Sequence, residues 1–127
     1  MTTASSYELF RLAEQSLDDG HPRHAIATLE RMDAADLAAP AAQRLLALSC
    51  YRFAALGRAR ATLEVLVDAD PSDAEAAHLL GRTLMRQGEK QQAQRWLRLA
   101  AVLDPREEHL AYADDTVRLD DTVRLAG

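Results

Sequence analysis

Three glycines, Gly20, Gly57 and Gly88, each fall between two runs of helix-forming sequence, and their spacings of 37 and 31 positions average 34. A unit that recurs at such a period cannot bury its apolar face alone, so the chain is confined to a repeat architecture in which neighbouring units cover one another. No stretch between Ser6 and Leu103 alternates apolar and polar residues long enough to argue for a strand, and the alanine-rich runs favour helix. The expected fold is all-α: a domain over 1–113 with helix pairs at 6–39, 40–73 and 74–107, followed by a distinct tail at 114–127.

The third pair has the clearest pattern. Ala77, Leu80, Gly81 and Leu84 mark its first helix, Ala93, Leu97 and Ala100 its second, and Pro105 closes it. With these residues the chain resembles the tetratricopeptide repeat family, and its length is similar to that of small stand-alone bacterial members. The resemblance implies a right-handed superhelix of three helix pairs with a C-terminal capping helix, and it gives Gly81 the task of letting the two helices come close. The first copy places Leu9, Leu12 and Ala13 before Gly20 and Ala25, Leu29 and Met32 after it, with Leu37 where the closing proline would stand. In the middle copy Leu46, Ser49, Cys50 and Phe53 lead to Gly57 in step with the third, whereas Ala59, Leu63 and Leu66 keep step with Pro71. This reading leaves about three residues missing from the middle turn, close to one helical turn.

Local signals divide the chain in the same way. Ser5 with Glu8, and Ser72 with Glu75, read as capping boxes opening first helices. Pro22 and Pro40 suit a first helical turn, where a missing N–H costs nothing. Asp70-Pro71 and Asp104-Pro105 should end second helices, because proline pushes the preceding residue out of the helical region.

Charge and composition argue against several functions. The net charge is −5, but six acids (Glu107, Glu108, Asp114, Asp115, Asp120, Asp121) follow Pro105, so the repeat body is near balance and offers no basic face for nucleic acid. No apolar run approaches the roughly 20 residues of a membrane span, and the N-terminus lacks the charged start and apolar core of a signal peptide; a cytoplasmic location is expected. Cys50 is the sole cysteine and should pack as a small hydrophobe. His21, His24, His78 and His109 lack the paired spacing of a zinc site, and His21 and His24 read as exposed turn residues. No phosphate loop, nucleophile elbow or HExxH run occurs, and Asp18-Asp19 has no accompanying base. The chain is expected to be no enzyme, with no cofactor, metal or catalytic residue.

The family resemblance implies that first helices line a concave groove. Carried over, it selects Tyr7, Phe10, Glu14, Leu17 and Asp18 with neighbouring Arg11, then Arg44, Ala47, Tyr51, Ala54 and Ala55, then Glu75, His78, Arg82, Met85 and Arg86. His78, Arg82 and Arg86 recur at four-residue steps, so they share a helix face, either as a row for acidic side chains or as a solvated surface. Tyr7 and Phe10 stand either in the groove or in the first core, where Leu9 and Leu12 already hold positions. The family's carboxylate clamp for chaperone tails needs basic and amide residues where this chain has Phe10, Glu14, Leu48, Glu75 and Leu79, so such a tail is not the expected ligand. Trp96 should face away from the groove, either beneath the C-terminal segment or as an anchor for a partner.

The tail repeats Asp114-Asp115-Thr116-Val117-Arg118-Leu119 without change as Asp120-Asp121-Thr122-Val123-Arg124-Leu125. A period of six matches no helical repeat, so Val117, Leu119, Val123 and Leu125 cannot keep one helical stripe. The expected function is that of a noncatalytic adaptor or chaperone-like scaffold holding a protein or peptide with acidic and apolar residues. The alternative is self-assembly, in which Asp114, Asp115, Asp120 and Asp121 with the valines and leucines of the tail fill a groove of the same or a neighbouring copy, giving a homo-oligomer.

Overall fold

A computed structural model describes residues 4–113. The helices are α1 (Ser6–Asp18), α2 (Pro22–Leu29), α3 (Ala34–Leu37), α4 (Pro40–Arg52), α5 (Leu56–Ala69), α6 (Ala74–Arg86) and α7 (Lys90–Leu103). An eighth, α8, begins at 107 and is described to 113. No strand occurs among the described residues. The chain divides into two compact units, and the boundary falls inside α5, between Leu66 and Val67.

The helix boundaries keep the period without the irregularity expected of the middle copy. The first helices α1, α4 and α6 each have 13 residues and begin at 6, 40 and 74; the second helices α2, α5 and α7 begin at 22, 56 and 90. The offset is 34 in every case, and no residues are missing from the middle turn. The misplaced landmark is Gly57, which lies in the first turn of α5. The middle turn instead places Ala54 in the left-handed region, at φ 65°, one period from Gly20 and Gly88 at φ 83°.

The three turns share one hydrogen-bond pattern. His21 N–H reaches Ser16 O at 2.8 Å, Ala55 N–H reaches Cys50 O at 2.8 Å, and Glu89 N–H reaches Leu84 O at 2.9 Å. Each is the long-range bond of a Schellman cap, with the preceding left-handed residue donating three positions back. Glycine is the usual occupant, and Ala54 shows that the cap forms without it.

With the register set by Ala54, the middle copy aligns differently from the sequence reading. Leu46 corresponds to Leu80, Ala47 to Gly81 and Cys50 to Leu84, so the small residue at the helix contact is Ala47, fully buried. Cys50 is a core position, also fully buried, and burial pushes its thiol pKa up. Ser49 and Thr83, one period apart, are both fully buried; their hydroxyls donate to Leu45 O at 2.7 Å and Leu79 O at 2.8 Å. Back-bonding of this kind satisfies a buried hydroxyl within its own helix.

In the first unit the core joins Ala13, Leu17, Ala25, Leu29, Leu46, Cys50 and Ala59. α2 ends at Leu29, earlier than expected, and Met32 packs on this core from the following turn. In the second unit α6 packs on α7, burying Ala77, Leu80, Leu84, Ala93, Leu97 and Ala100. Their approach passes through Gly81: a Cβ there would lie 2.6 Å from Leu97 Cγ and 3.1 Å from Leu97 N.

Candidate functional site

α1 begins where the Ser5 side chain accepts the Glu8 N–H at 3.1 Å. Its buried stripe is Leu9, Ala13 and Leu17, at four-residue steps. Phe10 flanks that stripe and packs against the core, as does Tyr51 of α4. Tyr7 lies on the other side, 73 % exposed. Two residues expected in the core are not there: Phe53, displaced by the register error and 48 % exposed, and Leu12 of α1. Leu12 is 53 % exposed, although Leu46 and Leu80, one and two periods later, are buried. Tyr7, Glu8, Arg11, Leu12 and Gln15 line a shallow depression on α1. Arg11 and Glu14 stand 3.6 Å apart across one turn.

The sequence-predicted groove set of the first unit therefore separates. Tyr7 and Arg11 share an exposed surface, Phe10 and Tyr51 serve the core, and Glu14 and Arg44 are half-buried. The corrected register also removes Ala47, Ala54 and Ala55 from the expected inner face. The position assigned to Leu48 in the clamp comparison becomes Leu45, still apolar. A second open depression at the α1–α2 turn is lined by His21, Arg23, His24 and Phe53. Both histidines are exposed.

In the second unit α6 is capped one residue later than expected. Asp73 accepts the Ala76 N–H at 3.1 Å, while Ser72 donates through N–H and Oγ–H to Asp70 at 3.0 and 2.6 Å. On the α6 face proposed for acidic side chains, Arg86 is exposed and Arg82 half-buried, but His78 is only 5 % exposed. α8 covers it. His109 stacks on His78 with ring centroids 4.5 Å apart, and Tyr112 meets His78 edge-on at 5.0 Å. The Arg82 guanidinium lies 4.6 Å over the Tyr112 ring, and Glu108 stands 3.6 Å from Arg82 and 3.7 Å from His78.

His109 is itself 2 % exposed, and its Nδ1 lies 2.9 Å from Asp104 O, the proper length for donation to that carbonyl. Burial, then the neighbouring His109, lowers the pKa of His78 to about 4. Sequence reasoning did not single out Glu108, His109 and Tyr112 as a set. Their i, i+1, i+4 spacing places them on adjoining positions of one helix, and that was the available signal. Trp96 is half-buried on α7. The tail candidates Asp114, Asp115, Val117, Leu119, Asp120, Asp121, Val123 and Leu125 lie outside the described residues.

No family model matches the sequence, and no curated protein does. Solved structures do resemble it. The first TPR domain of human RPAP3 is 15 % identical with a TM-score of 0.83, over 96 % of this chain and 97 % of that one. The first TPR of Spaghetti, solved bound to an HSP90 peptide, is 14 % identical with a TM-score of 0.79, over 91 % and 92 %. YrrB, described as a TPR protein with an unusual peptide-binding site, is 16 % identical with a TM-score of 0.77, over 89 % of this chain but 58 % of its own. Likeness at such low identity speaks to architecture, and it agrees with three helix pairs repeating every 34 residues around Gly20, Ala54 and Gly88: the chain has the tetratricopeptide-repeat fold.

Proposed function

We propose that the chain is a noncatalytic protein-interaction module, an adaptor or chaperone-like scaffold that holds a partner peptide on the outward residues of its first helix, α1. The observation that carries this reading is the α1 surface. The fold leaves Tyr7 and Leu12 in water at 73 % and 53 % exposure, beside Arg11 and Glu8. An aromatic and an aliphatic side chain rimmed by charges make the kind of patch that marks a contact surface. The peptide complexes of Spaghetti and of the second TPR domain of human RPAP3, the latter with an HSP70 peptide, support the class of function by analogy. They do not transfer the ligand, since Phe10, Glu14, Leu45, Glu75 and Leu79 here carry none of the basic side chains that a chaperone-tail clamp uses. A partner with apolar residues for Tyr7 and Leu12 and an acid for Arg11 fits the chemistry.

The test is Tyr7→Ser with Leu12→Ser. Both side chains are mostly exposed, so stability should change by less than about 0.5 kcal/mol per site. Affinity capture from the native cell, followed by mass spectrometry, should lose the partners that the wild type retains. Capture of the same proteins by the folded double variant would refute the α1 surface as the working one.

A further inference from the structure

The face of α6 that would otherwise present His78 and Arg82 to a partner is covered by the chain's own α8. The cover holds His78 where burial, and then the stacked His109 ring, disfavour a charged imidazole. Two imidazoles stack at 4.5 Å, both nearly out of solvent, and neither ring nitrogen of His78 has a hydrogen-bond partner among the described residues. The charged groups around His78 are unequal. Glu108 at 3.7 Å would favour an imidazolium, whereas His109 of α8, Arg82 of α6 and Arg106 just before α8 oppose one. Arg106 is in turn 3.6 Å from Glu75 at the start of α6, and Tyr112 meets the His78 ring edge-on at 5.0 Å.

We propose that α8 is a proton-releasable cover of α6: acidification charges the buried His78, detaches α8, and uncovers Arg82 beside a cationic His78 as a surface for an acidic segment. The release follows from geometry. A charged His78 in place would be buried without a hydrogen-bond acceptor and stacked on a second titratable ring, and detachment gives it water. Detachment also separates Arg82 from Tyr112 and Glu108, the acid and aromatic that occupy its surroundings in the closed form. The release stands on α6 and α8 alone. Use of the uncovered face by a partner rests on the peptide-binding reading above.

The sign follows from linkage. His78 ionises near 6.5 when free of the stack and about 4 within it, so the detached state binds more protons. The closed form is favoured in full above about pH 6.5 and loses that advantage as pH falls toward 4. The shift in the open–closed equilibrium at pH 4.5 relative to pH 7.5 is on the order of several tens-fold.

Hydrogen exchange on the full chain, expressed as protection factors, tests this directly. Protection over 107–113 should fall by about that factor between pH 7.5 and 4.5, while α1 and α4 keep theirs. His78→Phe preserves a stacked ring without a titrating nitrogen and should abolish the fall. An equal fall in His78→Phe and wild type, or unchanged protection at 107–113 down to pH 4.5, overturns the proposal. Should the variant fail to fold, nuclear magnetic resonance titration of the wild-type His78 ring decides: an ordinary ionisation near 6.5 with 107–113 still protected overturns it, and ionisation displaced to lower pH together with loss of protection supports it. A histidine-free helical peptide with Glu and Tyr four residues apart serves as probe for the uncovered face. Release without binding of that probe leaves the proton switch standing and removes α6 from the partner surface.

Discussion

At Gly81 a single missing side chain sets the distance between two helices. A Cβ there would meet Leu97 Cγ at 2.6 Å and the Leu97 backbone nitrogen at 3.1 Å, so Gly81→Leu must push α7 away or drive Leu97 from its place. Overpacking of this kind costs about 1–3 kcal/mol. Thermal unfolding of Gly81→Leu should show that loss, and an unchanged midpoint would mean that α6 and α7 are not held at this spacing. This role was legible through the family resemblance, which sets a glycine at that position for the close approach of the two helices. Gly57 was misread for a different reason: glycine favours a left-handed turn but does not require one. Gly57 lies in α5 with nothing within 4 Å of an added Cβ, whereas Gly20, also with open space around it, has φ 83°. Gly57→Ala should therefore stabilise by about 0.5–1 kcal/mol, and Gly20→Ala should destabilise by about 1 kcal/mol. Urea unfolding of the pair measures both signs; the same sign for the two would return the middle turn to Gly57.

Among elements, the helices that open on proline or serine were the most readable. Pro22 and Pro40 each occupy a first helical position, and Ser5 caps α1 as its sequence predicts. The start of α6 shows the limit. Ser72 and Asp73 both fit a cap, and the Asx turn in which Asp70 binds Ser72 frees Asp73 to take the role. Asp73→Ala should thus cost about 1 kcal/mol and Ser72→Ala distinctly less. Equal losses in thermal denaturation would restore Ser72 as the cap. The short helix α3 was not legible at all. Its Leu37 packs on the core and its Asp36 accepts the Ser6 hydroxyl at 2.6 Å from 30 residues away, contacts that no local pattern carries. The same holds for the α1 surface. Leu12 has the sequence of a core position, repeated at Leu46 and Leu80, and only tertiary packing decides that it stays in water.

Over the whole chain the period of 34 was recovered from spacings of 37 and 31, because an error of three at Gly57 enters the two intervals with opposite sign and cancels in the mean. The groove assignment had no such protection: the same error moved every expected second-repeat position by three residues. For the hexads, what the described residues supply is the point of attachment, at residue 113, just beyond Glu108 and Tyr112 on Arg82. A segment tethered there would compete with external peptides at an effective concentration of about millimolar, whether it occupies its own chain or another copy. Truncation after Tyr112 keeps the α8 residues that touch α6 and removes both hexads. If the hexads act as ligands, truncation raises the affinity for outside partners, and if they pair between copies it also converts an oligomer to a monomer. Mass measurement in solution across concentrations separates these outcomes. A truncated chain with unchanged mass and unchanged partner affinity would assign the hexads no part in binding, leaving α8 as the segment of this chain that occupies its own α6.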